Sequence, residues 1–214
     1  MPGNHDCTLS DNEPVRDALI SSVLRNTKSV PEEISSILLQ AQQNYWNFSE
    51  ELTGRKVKDC VSHEVTLKLD DECTITFLCY NTSLCTKIHE LVGGLMIPED
   101  KFLQPSVDSQ NNIIISIFHH NSGWLSPSTN NKKLFEKHVF ETSNIIICGH
   151  EHDRKERLES GLQGDEQLVY LEGAAFQYGF SSEYYINVID TETLECEKHT
   201  LKYQNSTQPD LCMY

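Results

Sequence analysis

The period of the hydrophobic pattern changes twice along this chain. Residues 14–27 (PVRDALISSVLRNT) place Val15, Ala18, Leu19, Ser22 and Val23 on one stripe, and Pro14 suits a first helical position. Residues 31–52 predict a longer helix. Ile34, Ile37, Leu38, Ala41, Tyr45, Phe48 and Leu52 keep helical spacing, with Pro31 before them and Gly54 after. The period then becomes two. Val61, Val65, Leu67 and Leu69 alternate with polar residues, as do Cys73, Ile75, Phe77 and Cys79, and the acidic turn at Asp70-Asp71 between them predicts a β-hairpin. Residues 93–110 read as loop, where Gly93-Gly94 marks a turn rather than a phosphate cradle.

Beyond residue 110 the pattern becomes continuous. "NNIIISIFHH" (111–120) and "SNIIICGHEH" (143–152) are apolar runs that end in histidines, as expected of strands buried on both faces. A helix over roughly 132–142 links them, with Leu134, Phe135, His138 and Val139 on one face. Further strands are expected at 167–172, 184–190 and 194–202. These elements predict an α/β chain with one domain over 1–202 and a loose polar tail at 203–214.

Composition narrows the classes. The formal net charge of -15 repels phosphate backbones and disfavours general nucleic-acid binding. It leaves room for a phosphate held by a local metal, because a bound dication dominates its surroundings. The eight cysteines form no C-x-x-C pair and read as reduced, mostly structural thiols of a cytoplasmic protein. No apolar run approaches the roughly 20 residues that span a bilayer, so no membrane role is expected. The N-x-S/T sequons at Asn47, Asn81 and Asn205 read as chance.

Five of the nine histidines fall in three short clusters: His5, His119-His120, and His150 with His152. His119 and His150 each follow a predicted buried strand, and sites in layered α/β proteins gather at the carboxyl ends of strands. His150 and His152, two apart, point to one side in extended backbone, so one loop can serve two adjacent metals or chelate one. Imidazoles with an amide and carboxylates suit Mn, Fe or Zn as a catalytic ion better than a closed thiolate site.

"GNHD" at 3–6, "FHH" at 118–120 and "GHEH" at 149–152 resemble, in order and rough spacing, the last three motifs of the calcineurin-like metallophosphoesterases. "HHNSGWL" (119–125) resembles the loop after the histidine motif, with Asn121 where many relatives have proline. The resemblance covers roughly residues 1–190. It implies a layered β-sandwich flanked by helices, with two divalent metals that bind a phosphorylated substrate and activate a bridging water. On the matching positions, Asn4, His119 and His150 resemble ligands of the second metal, and His152 a ligand of the first. His120 is one residue past the matching position. His5 resembles the histidine that contacts phosphate and assists the leaving oxygen, with Asp6 orienting it and keeping it protonated. Hydrolysis of a phosphomonoester or phosphodiester is the implied reaction.

Two earlier family motifs, D-x-H and G-D-x-x-D/N, have no counterpart in these residues; "QGDEQ" (163–167) lies on the wrong side of the pattern. The expectation is a domain incomplete at its N-terminal side, lacking the opening central strands, with exposed sheet edges and weak or no activity alone. Two alternatives follow. One is a catalytically inactive pseudo-phosphoesterase that binds a metal or ligand, or acts as an interaction module. The other is a split enzyme whose partner chain supplies D-x-H. The insert at 31–110 is expected to shape substrate access.

Overall fold

The computed structural model describes residues 1–69, 73–106, 112–151, 156–160, 167–173, 181–191, 193 and 196–204. Helices α1 (Pro14–Val23), α2 (Glu32–Leu39) and α3 (Gln43–Thr53) precede strands β1 (Ser62–Lys68) and β2 (Thr74–Tyr80). Strand β3 (Asn112–His120), helix α4 (Asn131–Thr142) and strand β4 (Ile145–Gly149) follow, then β5 (Glu156–Ser160), β6 (Gln167–Glu172), β7 (Ser181–Ile189) and β8 (Cys196–Gln204).

Six strands form one sheet in the order β1-β2-β3-β4-β6-β5, and β7 pairs with β8 apart from it. The chain is therefore α/β, with a mixed six-stranded sheet and a two-stranded one. The inner strands β2, β3, β4 and β6 are parallel, and β1 and β5 close the sides antiparallel. Every parallel strand thus has two neighbours. Helix α4 makes the crossover from β3 to β4 that a parallel pair requires. Its first residue, Asn131, is buried and ties to Ile97 twice, accepting from its N–H at 3.1 Å and donating to its carbonyl at 2.7 Å.

The continuous apolar runs are buried on both faces, as expected. One face of the sheet carries Ile113, Ile115, Ile145, Val169 and Leu171, with Ile189 of β7 packed against them. The other carries Leu78, Tyr80, Phe118, Ile146 and Cys148, covered by Ile20, Val23, Leu38, Phe135 and Val139 of the helices. Phe135 is the hub, with ring centroids 5.0 Å from Tyr80, 5.3 Å from Phe118 and 5.6 Å from Phe102.

Four local departures have physical reasons. Helix α1 ends at Val23 rather than 27, where the Asn26 side chain accepts from Lys28 N–H and offers the backbone a turn. The long helix over 31–52 is broken by a 3-10 turn at Gln40–Gln42. There the buried Gln42 amide pairs with Asn81 (2.6 and 3.2 Å) and donates to the Ser83 carbonyl (2.9 Å), while the Ala41 carbonyl accepts from Thr8 N–H. A fully buried amide must be satisfied, and the helix bends to do it. Strand β5 has no clear sequence signal and forms because it pairs with β6. Strand β8 runs to Gln204, so residues 203 and 204 belong to it and not to the expected tail. The tail from 205 onward and the hairpin turn at 70–72 lie outside the described residues.

Cys7, Cys60, Cys79 and Cys85 are free thiols. Among the described residues no helix is long and apolar enough to cross a membrane.

Two histidines away from the clusters give the fold a pH dependence. His138 is buried, stacks on Phe102 at 4.9 Å and lies 2.9 Å from the Tyr80 hydroxyl through Nε2. Burial holds His138 and His63 below the usual imidazole value of 6.5. Both bind a proton less readily folded than unfolded. Their contribution is present above about pH 6.5 and is lost as pH falls toward the folded values. The urea midpoint should therefore drop between pH 7.5 and 5.5. An unchanged or rising midpoint would contradict this.

Candidate metal centre

Three parallel strands deliver polar residues to one edge of the sheet. Strand β3 ends in His119-His120, β4 ends in Gly149 with His150 next, and β2 leads into the buried segment Asn81–Thr86. The pairing of β3 with β4 shifts register between Ile117 and His120. Such irregularities re-aim side chains near functional sites.

The "PGNHD" stretch is anchored to this edge by hydrogen bonds to the segment after β2 and to the turn between α2 and α3. The Pro2 carbonyl accepts from Ser83 Oγ (3.0 Å), and Thr8 N–H donates to Ala41. Asn4–Asp6 form a 3-10 turn closed by Asp6, whose Oδ2 accepts from Gly3 N–H at 2.8 Å. Gly3 is buried against the His119 ring. A Cβ there would lie 2.8 Å from His119 Cε1, so the close approach needs glycine.

This anchoring brings the side chains together. His119 Nε2 lies 3.1 Å from Asn4 Oδ1 and 3.3 Å from His150 Nδ1. Two donors each about 2.1 Å from one ion lie roughly 3.0–3.4 Å apart at tetrahedral to octahedral angles. The Asn4, His119 and His150 atoms thus have the spacing and chemistry of one ion's donor set. His119, His120 and His150 also form a group whose ligand atoms all lie within 4.8 Å of one another. Burial, reinforced by the His120 and His150 charges, pushes the His119 imidazole down to about 3. It is neutral near pH 7 and ready to ligate.

His150 is the strained member, with φ of 71°. Glu151 N–H donates to the Gly149 carbonyl at 2.9 Å, making a γ-turn centred on His150. The positive-φ γ-turn is uncommon and costly for a residue with a Cβ. Trp124 pins it, its ring edge-on to His150 at 4.4 Å and its Nε1 donating to Glu151 at 2.8 Å.

His120 is fully buried and already satisfied. Its Nδ1 lies 3.1 Å from Thr82 Oγ1 and its Nε2 3.2 Å from Glu90 Oε1, while its backbone N–H donates to Thr82 Oγ1. It supports the site rather than facing the shared space. Glu90 also lies 3.9 Å from His150 Nε2 and accepts from Thr86 Oγ1. Burial alone would raise the Glu90 carboxyl. The hydrogen bonds from His120 and Thr86, with the nearby imidazole charges, outweigh it and hold the group below the usual carboxylate range.

His5 and Asp6 are exposed. Asp6 spends its carboxylate on the Gly3 N–H, and among the described residues no hydrogen bond joins it to His5. Asp6 Oδ2 closes the turn that presents Asn4. His152 lies outside the described residues. Glu90 and Thr82 carry no sequence signal of their own, because "NTSLC" and "KIHEL" match no site motif.

No protein-family model matches the sequence, and no curated protein is significantly similar to it.

Proposed function

We propose that this chain is a metal-dependent phosphoesterase domain of calcineurin-like fold, acting on a phosphomonoester or phosphodiester. The observation that carries this reading is the convergence of Asn4 Oδ1, His119 Nε2 and His150 Nδ1 within 3.1 and 3.3 Å steps at the ends of parallel strands. Those residues are the ones that the family resemblance assigns to one metal. A divalent ion held there supplies Lewis-acid charge to a phosphoryl group and activates water. Asn4 and the two imidazoles hold and orient that charge. His5, exposed on the adjoining turn, is proposed to contact the phosphate and give a proton to the leaving oxygen. His152 is proposed as a ligand of a second ion, and Mn, Fe or Zn are the candidates. The free thiols suit a reducing compartment such as the cytoplasm.

The second reading is a binding module without turnover. It is favoured by the fact that the described residues assemble donors for one ion. One experiment separates the two. The 214-residue chain, stripped with chelator and reloaded with Mn, Fe or Zn, is offered p-nitrophenyl phosphate and bis(p-nitrophenyl) phosphate. Release of p-nitrophenolate, weak but abolished by chelation, is expected of the enzyme reading. Tight metal binding with no release from either ester would overturn the enzyme reading and leave the second. Absence of both would sink each.

A further inference from the structure

We infer that Glu90 is a positioning residue of the metal centre, holding His120 and His150 from behind so that His150 presents Nδ1 to Asn4 and His119. The inference rests on the proposed metal site. The loop around Glu90 inverts the usual distribution of residues. Ile88, Leu91 and Val92 are 45%, 75% and 74% exposed, while the Glu90 side chain is 6% exposed. Sequestering a carboxylate while apolar neighbours face water is unfavourable unless the charge meets specific partners. Its partners are the imidazoles of the site and the Thr86 hydroxyl.

The donor and acceptor logic is directional. An ionised carboxylate only accepts, so a ring nitrogen facing it carries the proton. His120 is therefore protonated at Nε2, and its Nδ1 accepts from the Thr82 hydroxyl, whose oxygen takes the His120 backbone N–H. Both ring nitrogens of His120 are used. The same carboxylate lies 3.9 Å from His150 Nε2, too far for a hydrogen bond, and its negative charge favours the proton on that nitrogen, with the Nδ1 lone pair toward His119. A carboxylate behind a ligating histidine selects its tautomer, fixes its ring and raises its basicity. The His120 ring, 4.3 Å from that of His150, transmits the same constraint by packing. Glu90 thus reaches the centre through two rings and ligates nothing itself.

The test uses the full chain and Co²⁺ alone, read by calorimetry and by the visible absorption of the bound ion. Glu90→Gln should weaken Co²⁺ binding by roughly 10- to 100-fold, with Glu90→Asp recovering part of the loss. Long-range ¹H–¹⁵N spectra of the metal-free protein should show His150 as the Nε2–H tautomer in the wild type and a mixture in Glu90→Gln. Affinity within about twofold and an unchanged tautomer in Glu90→Gln, while His150→Ala abolishes binding, would overturn the role of Glu90 and leave the metal site intact. A wild type that binds no Co²⁺ would overturn both. Should Glu90→Gln fail to fold, Thr86→Val decides. It removes the hydroxyl that donates to Glu90, and unchanged affinity there would also overturn the role.

Discussion

His150→Ala and His150→Gly should both lose the proposed metal-dependent phosphoesterase turnover, by on the order of a thousandfold or more, equivalent to about 4 kcal/mol of transition-state stabilisation. The two variants should nonetheless differ in stability. Each removes the same ring from beside His119, His120 and Trp124. Only alanine retains a Cβ at φ of 71°. Left-handed backbone costs an L-residue about 1–2 kcal/mol, which glycine escapes. His150→Gly should therefore be the more stable of the pair by about 1 kcal/mol in urea unfolding, after allowing for the greater unfolded freedom of glycine. A histidine retained where glycine suits the backbone better is retained for its chemistry. The idea fails if either variant keeps more than a tenth of wild-type turnover, or if alanine proves the more stable.

Arg16→Met should destabilise the folded chain by about 2–4 kcal/mol, since each buried carbonyl left without its donor costs about 1–3 kcal/mol and removing a buried charge offsets part of the loss. Arg16 is a buried arginine on α1. Its Nη1 donates to the Leu38 carbonyl at 2.7 Å, and its Nη2 to the carbonyls of Leu84 and Thr86 at 3.0 and 3.2 Å. One guanidinium thus ties α1 to the end of α2 and to the segment that carries Thr82, Thr86 and Glu90 beneath the histidines. Methionine fills similar volume but leaves three carbonyls without their donor in a place water does not reach. Equilibrium urea unfolding measures the loss. A change below about 1 kcal/mol would mean that those carbonyls find other partners. Because the tether holds the Glu90 loop, metal affinity should weaken in this variant under conditions where it is still folded.

Much of the architecture is legible in the residues because it depends on local periodicity. The two isoleucine-rich runs are β3 and β4, the alternating pair is β1 and β2, and Phe135, His138 and Val139 form the buried face of α4, while Leu134 is exposed. What escaped periodicity was settled by partners distant in sequence. Gln42 breaks a helix whose stripe reads as continuous because it must satisfy Asn81 and Ser83, 39 and 41 residues away. Strand β5 owes its form to β6. The candidate site divides the same way. Asn4, His119 and His150 stand out from motif spacing alone, whereas Glu90 reads as one more surface acid in an acidic chain.

Residue chemistry and period are carried locally, so the order of amino acids shows which side chains can ligate a metal and which strands they follow. Packing at long range sets the rest: Asn4 meets His119 across 115 residues, His150 turns at positive φ to join them, and His120 is spoken for by Thr82 and Glu90. Convergence at a sheet edge depends on strand order and register. Those are set by the packing of the whole chain and by the obligation of every buried polar group to find a partner.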